Sequence, residues 1–399
     1  MPRSFHRFQH KLVAFVVALS GYLASECRIQ RTAAFCFFVF LLIGCGDTSP
    51  YNAVYSAEED WTIQESQLQL EEDLYITETE DYFFGAIADV AADEERRIYV
   101  ADARELHVKV LSPEGELLDT VGRSGEGPGE FGALDQLQLA YDDSLYVFSA
   151  QPKRVSVFAP ENDYAHVRSI PIPDDEGDAG DPRMLEGHGL VVRVVEWPST
   201  VDNLDERTIV IRNINDDGTL GDTLFEMPAA EIVMWRTPRG QAGGPLPFGR
   251  TPHFEVGAEG LIHAAWSDNL SVTRYRSSGD RDTTISLPFE HVPVTSADLD
   301  YVRENISSSH FDAAEDRIPD TKPAFDQFLV DDEGRYWFQR PTDDPDRSDW
   351  WIVDPAMSTI SVVSKPSAVT FTTVRNGFAY GHTRGDRGEP TLVRYRVEE

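Results

Sequence analysis

The chain has 399 residues, with 35 basic against 69 acidic side chains and a formal net charge of −34 at pH 7. Such a charge repels phosphate backbones and anionic lipid heads, which argues against nucleic acid as a partner. With 41% hydrophobic and 11% aromatic residues, the chain can bury a large core and is no disordered acidic tail.

The first element is a leader. Residues 1–44 hold five basic residues (Arg3, Arg7, Lys11, Arg28, Arg31) and one acid, Glu26, so residues 45–399 carry a net −38. An apolar run from Ala33 to Gly44 follows the basic flank and ends at Cys45. This is the signal-peptide pattern, and the run is too short to span a bilayer. Leu42-Ile43-Gly44-Cys45 resembles the bacterial lipobox, which implies lipidation of Cys45, attachment to a bacterial membrane, and residues 45–58 as a polar tether. The three cysteines, Cys27, Cys36 and Cys45, all lie in this region, so the rest has neither a disulfide framework nor a cysteine zinc site.

Beyond residue 80 the chain reads as a repeat: an apolar strand, a turn, a strand rich in β-branched and aromatic residues, a loop, and a third strand. Six copies are visible. The clearest has Gly85–Val90, Ile98–Asp102 and Val108–Leu111; the second has Leu137–Leu139, Leu145–Ser149 and Val155–Phe158. The third has Leu190–Val195 and Ile209–Ile211, and the fourth Phe254–Val256, Leu261–Trp266 and Val272–Tyr275. The fifth has Phe328–Val330, Tyr336–Arg340 and Trp351–Val353; the sixth has Phe371–Val374, Phe378–His382 and Leu392–Tyr395. Most copies continue into a fourth strand, as in Leu117–Val121, but the sixth runs out first. The pattern predicts an all-β, six-bladed β-propeller over 59–399, with Trp61–Gln64 or Leu68–Thr77 supplying the missing strand. Two insertions break the spacing. Residues 229–253 read as a Gly/Pro-rich loop, and about 295–320 as a helix capped by Thr295 or Ser296.

Gly122-Arg123-Ser124-Gly125-Glu126-Gly127-Pro128-Gly129-Glu130-Phe131, together with Ile98–Asp102, resembles NHL-repeat propellers, and more closely the six-bladed propeller lipoproteins of bacteria. That resemblance implies a body outside the cytoplasm, in the cell envelope.

Chemistry is less legible. Gly122–Gly129 lacks the ending of a phosphate loop and leads into a strand, so its glycines serve chain reversal. Asn213–Gly218 has oxygen ligands at alternating positions, but Leu224 stands where a calcium loop needs a bidentate Glu, and an Asp-Gly hairpin explains it. The acidic run Asp174–Asp178 reads as a solvated loop. Aligning the second strands puts Asp102, Ser149, Val194, Trp266, Arg340 and His382 at one depth, expected near the mouth of a central channel. Propellers that hydrolyse lactones, which the chain distantly resembles, hold calcium there with several carboxylates; this ring offers one, and Arg340 would repel a cation. Propellers of the amidating-lyase kind use histidines, and His382 is the only one in the ring. Asp102, Ser149 and His382 come from different blades, so no triad follows.

The expectation is a monomeric, membrane-anchored binding or scaffold module for a small polar ligand, peptide or envelope protein. Asp102, Ser149, Trp266, Arg340 and His382 are its candidate ligand contacts, with no catalytic residue, metal or cofactor. The alternative is a metal-assisted lactonase or esterase with its site at the channel mouth.

Overall fold

A computed structural model describes residues 61–398 apart from 65–67, 141, 161–162, 174–177, 186, 199–200, 258–259 and 345. The leader, Cys45, the tether, and residues 174–177 of the acidic run lie outside the described residues.

Each repeat folds as one antiparallel sheet. Blade 1 comprises Ile87–Ala92, Ile98–Asp102, His107–Leu111 and Leu117–Val121, in that order from centre to rim. Blade 2 comprises Ala133–Leu139, Leu145–Gln151, Lys153–Ala159 and Ala165–Pro171. Blade 3 comprises Asp178–Leu185, Gly189–Glu196, Thr208–Ile214 and Leu220–Pro228; blade 4 comprises Pro252–Val256, Ile262–Trp266, Ser271–Tyr275 and Arg281–Ser286. Blade 5 comprises Gln327–Val330, Tyr336–Pro341, Arg347–Asp354 and Thr359–Pro366. Blade 6 has three strands of its own, Thr370–Arg375, Phe378–Arg384 and Pro390–Glu398.

The N-terminal segment completes the ring. Gln69–Ile76 pairs antiparallel with Pro390–Glu398 as the outer strand of blade 6. Thr62–Gln64, the other segment with strand alternation, instead pairs parallel with Thr359–Pro366 and adds a fifth strand to blade 5. Closure leaves no open sheet edge between the last blade and the first.

Packing explains why the second strands are so apolar. In a blade standing edge-on to the axis, alternate side chains point at the two neighbouring blades. Ile98 and Val100 join Phe378 and Tyr380 of blade 6, while Tyr99 and Ala101 join Leu145 and Val147 of blade 2. Tyr336 and Phe338 likewise face blade 4, and Trp337 faces blade 6 with Trp350 and Phe371. Among the described residues one such cluster fills each of the six junctions, including the junction of blade 6 with blade 1. The chain is a closed six-bladed β-propeller.

Antiparallel pairing gives the ring two unlike faces. Turns between strands 1 and 2, and between 3 and 4, share one of them (the turn face). There, blades 1 and 5 repeat a buried corner. Asp93 accepts from Arg97 N, Arg97 Nε and Tyr99 Oη, at 2.8, 2.5 and 3.0 Å. Asp331 accepts from Arg335 N, Arg335 Nε and Trp337 Nε1, at 2.7, 2.7 and 2.9 Å.

The opposite, loop face carries the blade-to-blade connections and the insertions. Residues 229–251 are not an open loop: Ile232–Thr237 pairs with Gly240–Pro245 as a hairpin. Against it pack a helix, Ser308–Ala314, and a single 3-10 turn, Glu315–Arg317, while another helix, Ser296–Asn305, lies against Ser308–Ala314, with Arg303 4.5 Å over the Phe311 ring. The helices begin where polar caps supply acceptors, with Thr295 and Asp298 forming a capping box. Val233, Leu246 and Ala314 make the small core, and His310 stacks on Trp235 at 4.5 Å.

The Gly122–Phe131 segment is a chain reversal held in place by protein groups. Gly122 and Gly129 adopt φ of +76° and +73°, and a Cβ on Gly122 would meet Phe131 at 2.2 Å. The Arg154 guanidinium, which donates to the Gly127 and Glu130 carbonyls, clamps the reversal. Asp217-Gly218 closes the blade 3 hairpin, with Asp217 accepting from Thr219 N at 3.0 Å.

Candidate functional site

The innermost strands surround a cavity of about 510 Å³ on the ring axis, a size typical of small-molecule sites. It receives lining residues from all six blades, among them Asp89, Gln136, Arg183, Glu255, Gln327 and Thr372. Side-chain hydrogen bonds sew adjacent inner strands together. Thr372 Oγ1 donates to Val90 O at 2.7 Å, Leu137 N donates to Asp89 Oδ2 at 3.0 Å, and Gln136 Nε2 donates to Pro182 O at 3.1 Å. Towards the turn face the same strands line a second cavity of about 280 Å³, which shares Gln138, Val256, Thr373 and Arg375 with the first.

Charge is concentrated on one part of this wall. The inner strand of blade 3 slips register between Gly180 and Arg183, and Asp181 takes a positive φ of 51°. A bulge of this kind re-aims a side chain. Arg183 Nη1 lies 2.5 Å from Asp181 Oδ1, and its Nη2 lies 3.4 Å from Glu255 Oε1 on blade 4. Asp89 accepts from Val90 N and Leu137 N, but its nearest cationic influence is Arg183.

Solvent reaches these carboxylates through the channel, yet protein surrounds them on all sides, and enclosure governs their titration. Burial pushes the Asp89 carboxyl up to about 7, against the opposing pull of the two N–H groups and Arg183. Burial raises Glu255 as well. Asp326, open to the cavity at the foot of blade 5, is pushed up to about 6 for the same reason. Burial lowers His253 to about 4, so the ring is neutral at pH 7 and shares a hydrogen bond with Thr251 Oγ1 at 2.9 Å.

The five residues singled out in the sequence lie elsewhere. None lines the cavity, and none of their hydrogen bonds joins one to another. The reason is the pleat: second-strand side chains point at neighbouring blades, and only the innermost strand borders the channel. Asp102 is fully buried and accepts from Gly85 N, Ala86 N and Lys109 Nζ at 2.8, 3.0 and 2.8 Å, latching the start of the inner strand. Burial opposes its charge, but Lys109 and the backbone donors outweigh that and hold it below the usual carboxylate range. Ser149 donates to Gln151 O at 3.0 Å. Trp266 packs in the junction of blades 3 and 4, and Val194 in that of blades 2 and 3. Arg340 donates to Ala324 O and Glu290 O at 3.1 and 2.8 Å, and lies 4.2 Å over the Trp351 ring. His382 sits half-buried on the second strand of blade 6, and burial lowers its pKa. Among the described residues, no group of three or more His, Cys, Asp and Glu could hold a metal ion.

No family model matches the chain, and no curated protein matches it in sequence. Solved structures do share its fold. A Bacteroides fragilis protein described as a "putative exported protein" superposes with a TM-score of 0.52 at 12% identity, over 84% of this chain and 99% of that one. A DUF4221-family protein of Bacteroides vulgatus gives 0.49 at 7% identity, over 84% and 100%. Virginiamycin B lyase of Staphylococcus aureus gives 0.39 at 9% identity, over 83% and 99%. At such identities the likeness is one of propeller architecture alone.

Proposed function

We propose that this protein is a monomeric binding module of the bacterial cell envelope that takes a small polar ligand in its central channel. Residues 1–44 serve as the leader, Cys45 is lipidated, residues 45–58 form the tether, and the ring is the binding body. The cavity of about 510 Å³, with charged groups converging from blades 1, 3, 4 and 5, carries the binding half of the reading. The basic flank and apolar run ending at Cys45 support the anchoring half, and the exported description of the Bacteroides fragilis propeller accords with it. Because two acyl chains anchor a protein where one alone is marginal, Cys45→Ala should release the protein from membranes in cell fractionation. Retention of the variant at the wild-type level would reject lipid anchoring. For the channel, a polar-metabolite library screened by thermal shift should contain compounds whose stabilisation of the full-length protein changes in an Arg183→Glu variant.

One observation favours a second reading, a hydrolase at the same place. A carboxylate pushed up to about 7 beside an arginine in a cavity has the properties of a general base at neutral pH. That reading requires turnover on a lactone and ester panel that Asp89→Asn abolishes without unfolding the ring.

A further inference from the structure

The identity of the ligand follows from how the channel charges are already spent. This step rests on the channel being the binding site. The two cations of the wall are both committed. Arg183 is held between Asp181 and Glu255, at 2.5 and 3.4 Å, and feels Asp89 behind them. Arg375 donates to Ala92 O at 3.4 Å and lies 3.7 Å from Glu94. An anionic ligand would have to break these pairs, leaving enclosed carboxylates without a partner.

Carboxylates, by contrast, are in surplus. Among the described residues, Asp89 accepts hydrogen bonds from backbone N–H groups alone. Asp326, exposed into the cavity, makes no side-chain hydrogen bond or ion pair with a described residue; its nearest cation, Lys322, is bound to Asp298 at 2.9 Å and to Thr342 O at 3.2 Å. Towards the turn face the second cavity adds Asp332, which accepts from Asn376 N at 2.8 Å. The void is also far larger than a single metal ion needs, and the wall offers no set of three metal-ligating side chains among the described residues.

We propose that the channel binds an elongated organic cation, a protonated amine, whose ammonium groups occupy the space between Asp89, Glu255 and Asp326 and whose chain runs along the ring axis. A protonated amine brings further N–H donors to Asp89 and Glu255, and to Asp326 the donor that no described residue supplies. Its charge also offsets the enclosure that burdens Asp89, Glu255 and Asp326. Neutral His253 and paired Arg183 set no barrier to it.

The test is calorimetric titration of the full-length protein in detergent with putrescine (the four-carbon diamine), the matching diol, and succinate. Putrescine is expected to bind about tenfold or more tightly than the diol, with succinate weaker still. Asp326→Asn, which removes no internal hydrogen bond, should weaken putrescine by about fivefold or more, as should Asp89→Asn. Affinity should also fall by about tenfold between about pH 8 and about pH 5.5 as Asp89 and Asp326 take up protons. If the diol or succinate binds as well as putrescine and the Asp89 and Asp326 variants alter that binding, the channel site stands and the cation reading falls. If no probe binds, or if binding ignores both variants, the channel reading itself falls with it.

Discussion

Asp89 and Asp93 stand four residues apart at the start of blade 1, and the protein uses them in opposite ways. Asp93, at the turn face, is fully buried and accepts from a backbone amide, a guanidinium and a tyrosine hydroxyl. Asp89, on the channel wall, has only two amides, and enclosure drives its carboxyl up to about 7. Blade 5 repeats the contrast: Asp331 is saturated by Arg335 and Trp337, whereas Asp326 faces the cavity unpaired among described residues. Burial alone therefore does not tell a carboxylate satisfied by the protein from one left short of donors. The distinction lies in whether the surrounding protein supplies the donors.

That contrast can be broken by substitution. The largest effect is expected for Asp331→Ala, which removes the buried acceptor of Arg335 N, Arg335 Nε and the Trp337 N–H; a loss of about 3–5 kcal/mol should appear as a lower urea midpoint. Asp102→Asn should cost about 2–3 kcal/mol by leaving Lys109 charged and buried. Because the folded pKa of Asp102 is depressed, its stabilisation is present above the unfolded value and lost as pH falls through the folded one. The acid-side loss of stability in the native protein should accordingly shrink in the variant. Asp89→Asn should go the other way. Its folded pKa is raised, so native Asp89 costs stability increasingly as pH climbs from about 4 to about 7. The variant should be more stable by on the order of 1 kcal/mol at about pH 8, allowing for channel water, with the gain gone near about pH 4. Destabilisation at about pH 8 would place Asp89 with the structural carboxylates. For Arg183→Met the informative change is in titration rather than in the urea midpoint: an Asp89 titration, followed by NMR, displaced above about 7.

Much of the fold is legible in the sequence because each second strand serves two junctions and must be apolar at every position, as in Ile98–Ala101 and Tyr336–Phe338. The corner is legible too, as Asp-x-x-x-Arg followed by an aromatic two residues on: Asp93, Arg97, Tyr99 and Asp331, Arg335, Trp337. The channel wall is not. Its strands mix apolar residues facing a neighbouring blade with polar ones facing the axis, so Asp178–Leu185 carries Asp181 and Arg183 in a bulged strand without clean alternation. The hairpin Ile232–Pro245 is hidden in another way, by a second strand, Gly240–Pro245, rich in Gly and without alternation. Asp102 attracts notice as a rim acid, but nothing in its spacing marks Lys109 and the Gly85 amide that occupy it.

The closing strand has a kinetic consequence. Gln69–Ile76 pairs with Pro390–Glu398, segments more than three hundred positions apart in the chain. Until the last strand exists, the first has nowhere to go, and blade 6 lacks its outer member. Contacts of such long sequence separation slow folding, because the entropy of loop closure precedes the reward. A chain whose final step joins its two ends stays unclosed throughout synthesis. On the proposed route across a membrane, that delay would keep the polypeptide threadable.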